Sequence, residues 1–496
     1  MSGETAIAVA ARAVLFIKSL LVVIYANLAK CLYSHNKMKT TMRSLSISAA
    51  LAAAFLLVQI PASAQMGVAV NRDSLRNLST IDHVQMMSQL GITSVRPGWD
   101  GYDQGGPNGG NYDEFKANPY PFYPEVLETF AGKKVETAER WWKERRPELV
   151  RAFEDEVYGR VPDNVPAIRW KVVKEEKMML EDIPCLYREL AGVADNSAYP
   201  AIEVNIQASV IWPESAGKNI PVVVEFGYAL GVMNRQRPGA EPAKPWQQQV
   251  VERGWAAATI TTGSIQADGG YNLRNGIIGL ANKGQYRKPT DWGALRAWGW
   301  GASRLIDYFE GEPLFDATKV AIEGCSRNGK AALVAMAFDQ RFAAGFIASS
   351  GKGGAAPWRR DCGEALENLT AVDEYHWMAG NFIKYGSDPF SPDDLPVDQH
   401  ELIALCAPRL CLISAGVPEH DRWQDIYGMF IAASKASPVY ELLGAKGLGT
   451  DVFPGIDYGL LDGQLAFREH HGDHEAGPNW PYFLDLFDRF VVNPAR

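Results

Sequence analysis

The chain has 496 residues, 47% apolar and 22% charged, with 46 Gly, 29 Pro, 14 Trp and a formal net charge of −9. This is the composition of a globular protein with a large core, and it excludes a disordered, collagen-like or coiled-coil chain. The acidic balance argues against nucleic acid, which needs clustered Lys and Arg, and six Cys in so long a chain exclude a disulfide-built scaffold.

Residues 37–64 read KMKTTMRSLSISAALAAAFLLVQIPASA. Lys37, Lys39 and Arg43 form a basic start, 49–58 an apolar stretch and Ala62-Ser63-Ala64 a small-residue cleavage site. That is the pattern of a secretory signal peptide cut after Ala64. The stretch is too short to span a bilayer comfortably. A second apolar run, 13–29, is interrupted by Lys18. Met38 or Met42 would serve as a start, with residues 1–37 as upstream sequence; an uncleaved anchor is the alternative. Removing residues 1–64 leaves 432 positions with 43 basic and 57 acidic side chains, a balance of −14. Cys185, Cys325, Cys362, Cys406 and Cys411 remain, an odd number that leaves at least one thiol free in an exported protein. The destination is the periplasm or the outside of the cell, with no stable membrane association after cleavage.

Residues 97–121 are dense in Gly, Pro and Asn and read as irregular. Residues 136–158 have helical spacing with Pro147 inside, predicting two short helices around a break. The stretch 65–200 is therefore expected to be an extended N-terminal segment of one domain, 65–496. From residue 200 short apolar runs bounded by Gly or Pro appear at 204–212, 221–227, 256–262, 320–324, 345–351 and 410–416. They read as strands buried on both faces. Helix-like stretches at 291–309 and 329–338 lie between them. Strands alternating with helices predict an α/β protein, a mostly parallel sheet in a three-layer αβα sandwich, with its chemistry at the C-terminal strand ends.

One motif stands at such an end: Gly324-Cys325-Ser326-Arg327-Asn328-Gly329-Lys330, opening a helix. A Ser on a tight strand-to-helix turn is a nucleophile elbow, its hydroxyl held above the sheet beside a helix N-terminus that favours an oxyanion. The second Gly comes one residue later than in G-x-S-x-G, and a Ser in a Gly-flanked turn also has a plain structural reading. A general base would be a His beyond the last strands, which leaves His470, His471 and His474. The H-H-G-D-H run has metal-like spacing, but it lacks further ligands, and no metal is expected.

GCSRNGK resembles the motif of the glucuronoyl esterases, carbohydrate esterase family 15 of the α/β-hydrolases. The resemblance continues through SSGKGGAAPWRRDCGEALENL (349–369), EYHWMAGNF (374–382), LPVDQHELIALCAPR (395–409), Asp421-x-Trp423 and HHGDHEAGPNWPYFLDLF (470–487), and more loosely LGITSVRPG (90–98). It implies Ser326 as nucleophile, and Arg327 as oxyanion donor through its backbone N–H and guanidinium. It also implies Lys330 and Glu364 as hydrogen-bonding groups for sugar hydroxyls and Trp423 as a surface for the sugar ring. The base falls six residues before Trp480, at His474, with His471 as rival. His376 and His400 belong to packing motifs.

The acid departs from the pattern. Many members carry Glu 23 residues after the nucleophile, where this chain has Ser349. A neutral hydroxyl cannot stabilise imidazolium as a carboxylate does. The family's alternative acid position follows a late strand, here the loop holding Glu419 and Asp421. The D-x-W match favours Asp421, with Glu419 as reserve.

The implied reaction is hydrolysis of esters of (4-O-methyl-)glucuronic acid in glucuronoxylan–lignin linkages through an acyl-enzyme, by a monomer without cofactor. Alternatives are another secreted carbohydrate esterase, acetyl or feruloyl, or a catalytically silent carbohydrate-binding protein. The missing Glu at position 349 favours the last.

Overall fold

The computed structural model describes residues 72–103, 105–227 and 244–494; the leader and its cleavage site lie outside them. Among the described residues nine strands form one sheet, in the order β1-β2-β3-β5-β4-β6-β7-β8-β9. Strands β1 (Ile168–Leu180), β2 (Ile183–Ala194) and β3 (Asn205–Pro213) run antiparallel to their neighbours. The other six are parallel: β4 (Ile220–Phe226), β5 (Ala256–Ile260), β6 (Phe315–Cys325), β7 (Phe342–Ala348), β8 (Leu410–Ala415) and β9 (Leu465–Glu469).

The continuous apolar runs arise because both sheet faces are covered. Along β4, Val222, Val224 and Phe226 enter one core, while Val223 enters the other. The first core is covered by helices that include α1 (Arg146–Glu156), α3 (Ala294–Gly311), α4 (Arg327–Phe338), α5 (Gln399–Ala404) and α6 (Ile426–Leu442). On the opposite face lie α2 (Trp246–Glu252) and α7 (Trp480–Phe487), joined by the stacked rings of Trp246 and Trp480 with centroids 4.8 Å apart. A stacked aromatic pair of this kind adds about 1 kcal/mol beyond its buried area. The three layers are those expected.

Three elements differ from expectation. β1 and β2 lie inside the stretch read as an N-terminal extension and continue the main sheet. β1 is an edge strand, and its central run KVVKEEK is exposed on both faces, so it carries no apolar alternation to read. Charge along an edge also blocks pairing with another chain. Around Pro147 the helical run does not break. A π-turn (Trp141–Arg145) leads into α1, and Pro147 sits in its first turn, where a missing N–H costs no intrahelical bond. Strand β9 is only five residues long, and the adjacent polar side chains Arg468 and Glu469 at its end hid it. No described helix is long and apolar enough to cross a membrane.

Candidate active site

Ser326 stands between β6 and α4 with φ 62° and ψ −131°. An L-residue held there costs on the order of 1–3 kcal/mol, sustained only by its surroundings. Here the Ser326 N–H donates to the Ala348 carbonyl at 3.0 Å, and the Lys330 N–H closes onto the Ser326 carbonyl at 3.0 Å. Glycine is required at 329, because a Cβ there would meet the Ala348 oxygen at 2.6 Å. The late second Gly is thus the residue that lets α4 pack against β7. The turn leaves Ser326 half-buried at the edge of a cavity of about 870 Å³.

His474 lines the same cavity, without a direct hydrogen bond to Ser326. Its Nδ1 donates to Asp421 Oδ1 at 2.6 Å. Asp421 is buried, and its Oδ2 accepts from the Ser349 hydroxyl at 2.5 Å and the Gly416 N–H at 2.9 Å. An acceptor on Nδ1 leaves Nε2 as the proton-accepting nitrogen. Bonds between nucleophile and base are often long until substrate arrives. Glu419 is exposed and makes no hydrogen bond to His474, which sets it apart from this arrangement. His471 is turned away: exposed, with its backbone N–H on Asp457. His470 is buried with Nδ1 on Asn479.

Lys330 reaches the cavity floor, where its ammonium meets protein acceptors. Lys330 is buried, and its ammonium donates to the Ser350 carbonyl (2.8 Å), the Lys352 carbonyl (2.6 Å) and Glu364 Oε2 (2.7 Å). Three donors meet three protein acceptors, so Lys330 has no proton left for a sugar hydroxyl. Its effect is on Glu364, whose Oε2 also accepts from the Lys352 N–H at 3.0 Å, leaving Oε1 to the cavity. Trp423 lines the cavity too, its ring against Gly101 and Gly110 of the irregular 97–121 segment. That segment therefore forms cavity wall.

Two carboxylic acids were missed by sequence reasoning. Asp268, after β5, accepts from Arg327 Nη1 (2.5 Å), His376 Nε2 (2.8 Å) and Trp377 Nε1 (2.7 Å). Burial works against its charge, but these partners hold its pKa well below the usual carboxylate range. The Arg327 guanidinium is thereby fixed beside the nucleophile, above the Trp377 ring at 5.4 Å. Glu374 lines the cavity with Oε2 buried and unpartnered. Burial, reinforced by Glu364 and opposed by Lys330 and Arg327, pushes its pKa up to about 8. The shift favours its neutral, hydrogen-bond-donating form near pH 7. It lies in the quoted EYHW run, whose His and Trp drew the attention; Asp268 belongs to no run that marked it.

One group of described residues, Glu114, Cys362 and Asp425, is close enough to hold an ion. Its two carboxylates already pair with Arg360, and Asp425 also with Lys352. Neither His471 nor His474 belongs to it.

A family model for fungal glucuronyl esterases matches residues 201–444. A carbohydrate esterase from an unknown prokaryotic organism is 31% identical over 436 residues, which is 82% of this chain and 97% of that protein. A 4-O-methyl-glucuronoyl methylesterase of the fungus Wolfiporia cocos is 39% identical over 159 residues, 30% of this chain and 38% of that protein. Among solved structures, a glucuronoyl esterase from Teredinibacter turnerae matches with TM-score 0.78 and 41% identity, over 83% of this chain and 99% of its own. One from Solibacter usitatus matches with TM-score 0.67 and 32% identity, over 76% and 99%. The agreement runs over 97–99% of the length of the prokaryotic carbohydrate esterase and of these two solved structures. The chain belongs to the glucuronoyl esterases of carbohydrate esterase family 15, with the α/β-hydrolase fold.

Proposed function

We propose that the chain is a serine esterase that cleaves esters of 4-O-methylglucuronic acid, the bonds joining xylan side chains to lignin alcohols. The observation that carries this reading is the buried Asp421 carboxylate on Nδ1 of a His that shares a cavity with a strained Ser. A protein that only binds glycan has no use for such an imidazole, so the silent-binder reading loses its support.

His474 Nε2 takes the Ser326 proton as Oγ attacks the ester carbonyl, and Asp421 stabilises the imidazolium formed. The Arg327 N–H and guanidinium receive the oxyanion, the latter pre-positioned by Asp268. His474 returns its proton to the departing alcohol, and water then resolves the glucuronoyl-enzyme by the same steps reversed. Glu364 Oε1 and the neutral Glu374 bind sugar hydroxyls, with Trp423 against the ring. Lys330 acts by holding Glu364.

Residues 65–496 form the exported catalytic unit, working as a monomer in the periplasm or outside the cell. The test is alcohol release from benzyl glucuronate by wild type and Ser326→Ala. Turnover by the wild type, lost in the variant, is expected. Faster hydrolysis of acetyl or feruloyl esters would move the substrate class, and absence of wild-type turnover on all of them would end the enzyme reading.

A further inference from the structure

A second cavity, of about 320 Å³, has no residue in common with the catalytic one. Its volume falls at the lower end of the range of about 300–1,000 Å³ usual for small-molecule sites, and suits a ligand the size of a sugar ring. Two stretches of chain serve both cavities. The helix Arg72–Leu90 sends Arg76 to the catalytic cavity, and Leu78, Ile81 and Asp82 to the second. After β5, Asp268 holds Arg327 beside the nucleophile, while Tyr271, Arg274 and Asn275 line the second cavity. The two cavities are therefore neighbours.

The wall of the second cavity combines aromatic rings with a fixed cation. Tyr199, Tyr271 and Tyr286 reach it from three separate segments. Tyr271 is anchored by its backbone N–H on the Ser79 hydroxyl at 2.9 Å. Arg274 Nε donates to the Gly284 carbonyl at 2.8 Å, and its guanidinium carbon stands 4.5 Å from the centroid of the Tyr286 ring. Gly284 has φ 70°, and a Cβ there would meet the Tyr199 hydroxyl at 2.8 Å, so glycine brings these side chains together. Among the described residues the two Nη groups of Arg274 have no hydrogen-bond partner, and no carboxylate pairs with it. A guanidinium held at Nε and stacked on a ring is a rigid fork, suited to a carboxylate through two parallel hydrogen bonds. Asp82 is buried and accepts from the Tyr375 hydroxyl at 2.8 Å through Oδ2, which leaves Oδ1 as an acceptor for a ligand hydroxyl.

We infer that this cavity binds an unesterified hexuronate unit of the polysaccharide on which the chain acts. The carboxylate meets the Arg274 fork, the tyrosine rings face the apolar side of the sugar ring, and Asp82 and Asn275 take its hydroxyls. This rests on the reading that the substrate is a glucuronate-bearing glycan. The two cavities then divide uronate units by charge. An ester is neutral and offers the Arg274 fork nothing to neutralise, whereas the free acid does. A polymer carrying both kinds of unit is held at the second cavity by its free acids, which raises the effective concentration of its esters at Ser326.

Affinity electrophoresis of the full chain in gels containing saponified glucuronoxylan, which has no ester left to cleave, reads binding without turnover. Arg274→Gln is expected to weaken retention about tenfold, as loss of a charge-assisted hydrogen-bonded pair does. Arg274→Lys, which keeps the charge and loses the fork, should fall between the two. Wild type should be retained less by the same polymer after reduction of its carboxyls to alcohols. On benzyl glucuronate Arg274→Gln should keep kcat and KM within about twofold, because Arg274 is exposed and outside the catalytic cavity. Unchanged retention of Arg274→Gln overturns the inference, and so does equal retention of wild type by the acidic and the carboxyl-reduced polymer. The second comparison needs no variant and decides the matter even where Arg274→Gln folds poorly. Absence of esterase turnover by the wild type bears only on the proposed function.

Discussion

The Ser349 hydroxyl donates a 2.5 Å hydrogen bond to Oδ2 of Asp421, the carboxylate whose Oδ1 holds His474. The position where the family resemblance leads one to expect an acid thus holds a donor to the carboxylate that meets the imidazole. It supports a carboxylate that arrives from the loop after β8. Ser349 itself has φ 44°, a left-handed conformation that aims its side chain across the strand ends.

If Asp421 stabilises the imidazolium, Asp421→Asn should lower kcat by about 10⁴-fold with KM little changed. Glu419→Gln should leave kcat within about twofold, because that side chain is exposed. Steady-state kinetics on benzyl glucuronate distinguish the two, and the reverse pattern would reassign the acid.

Ser349→Ala removes one of the two donors on Asp421 Oδ2, leaving the Gly416 N–H. A lost hydrogen bond to a buried carboxylate is worth about 1.5–3 kcal/mol, so a fall in kcat of roughly 10- to 100-fold is expected. Ser349→Glu in the Asp421→Asn background should recover part of the lost rate, since position 349 already reaches the same carboxylate. No recovery in a folded double variant would show that the two positions are not interchangeable.

The three protein acceptors around the Lys330 ammonium make it structural. Lys330→Met leaves Glu364 buried without its cation, and breaking a buried ion pair in this way costs about 3–5 kcal/mol. Denaturant unfolding should show that loss, and Lys330→Met combined with Glu364→Gln should regain much of it. A lysine serving only the substrate would leave the unfolding midpoint where it was.

Glu374 supplies the pH dependence of binding. Its carboxyl is neutral below about pH 8 and ionises above it, adding negative charge beside Glu364. The KM for a neutral glucuronate ester should rise as pH passes about 8 and the donor is lost. Glu374→Gln, which keeps a neutral donor, should flatten that rise. A wild-type KM unchanged across this range would remove Glu374 from the binding surface.

Beneath the nucleophile, Glu225 on β4 and Glu323 on β6 are register partners. Burial pushes Glu225 up to about 7, and burial with the charge of Glu225 pushes Glu323 well above the usual range. Both bind protons more tightly folded than unfolded, where a Glu titrates near ~4.3. Their favourable contribution is complete below the unfolded value and is lost as pH rises through the folded ones. Glu323→Gln should therefore stabilise the protein relative to wild type, by an amount that grows as pH rises above the unfolded value of about 4.3. Melting temperatures across a pH series provide the measurement.

The runs at 221–227, 256–262 and 410–416 were legible as strands because β4, β5 and β8 are covered on both faces, which leaves their composition almost wholly apolar. β1 was illegible for the opposite reason. An edge strand exposed on both faces is held by its hydrogen bonds to β2 rather than by burial, and its sequence reads as a polar surface. The resemblance implied Lys330 as a donor to sugar hydroxyls, and the structure adds protein acceptors that local sequence does not reveal. The carbonyls of 350 and 352, brought in from beyond β7, and Glu364 Oε2 each accept from its ammonium.

Local sequence placed Ser326 between two glycines at a strand-to-helix turn and so marked it as the candidate nucleophile. Sequence order narrowed the base to one short run, and the family resemblance implied the loop that holds the acid. The tertiary structure decided which carboxylate meets which imidazole, since Asp421 and His474 are distant in sequence and meet only because β8 and β9 lie side by side. It decided too that Glu374 lines the cavity and that Asp268 holds the Arg327 side chain that lines it. Burial and the charges of neighbours from other elements set what a carboxyl does, and neither is written in the residue's own segment.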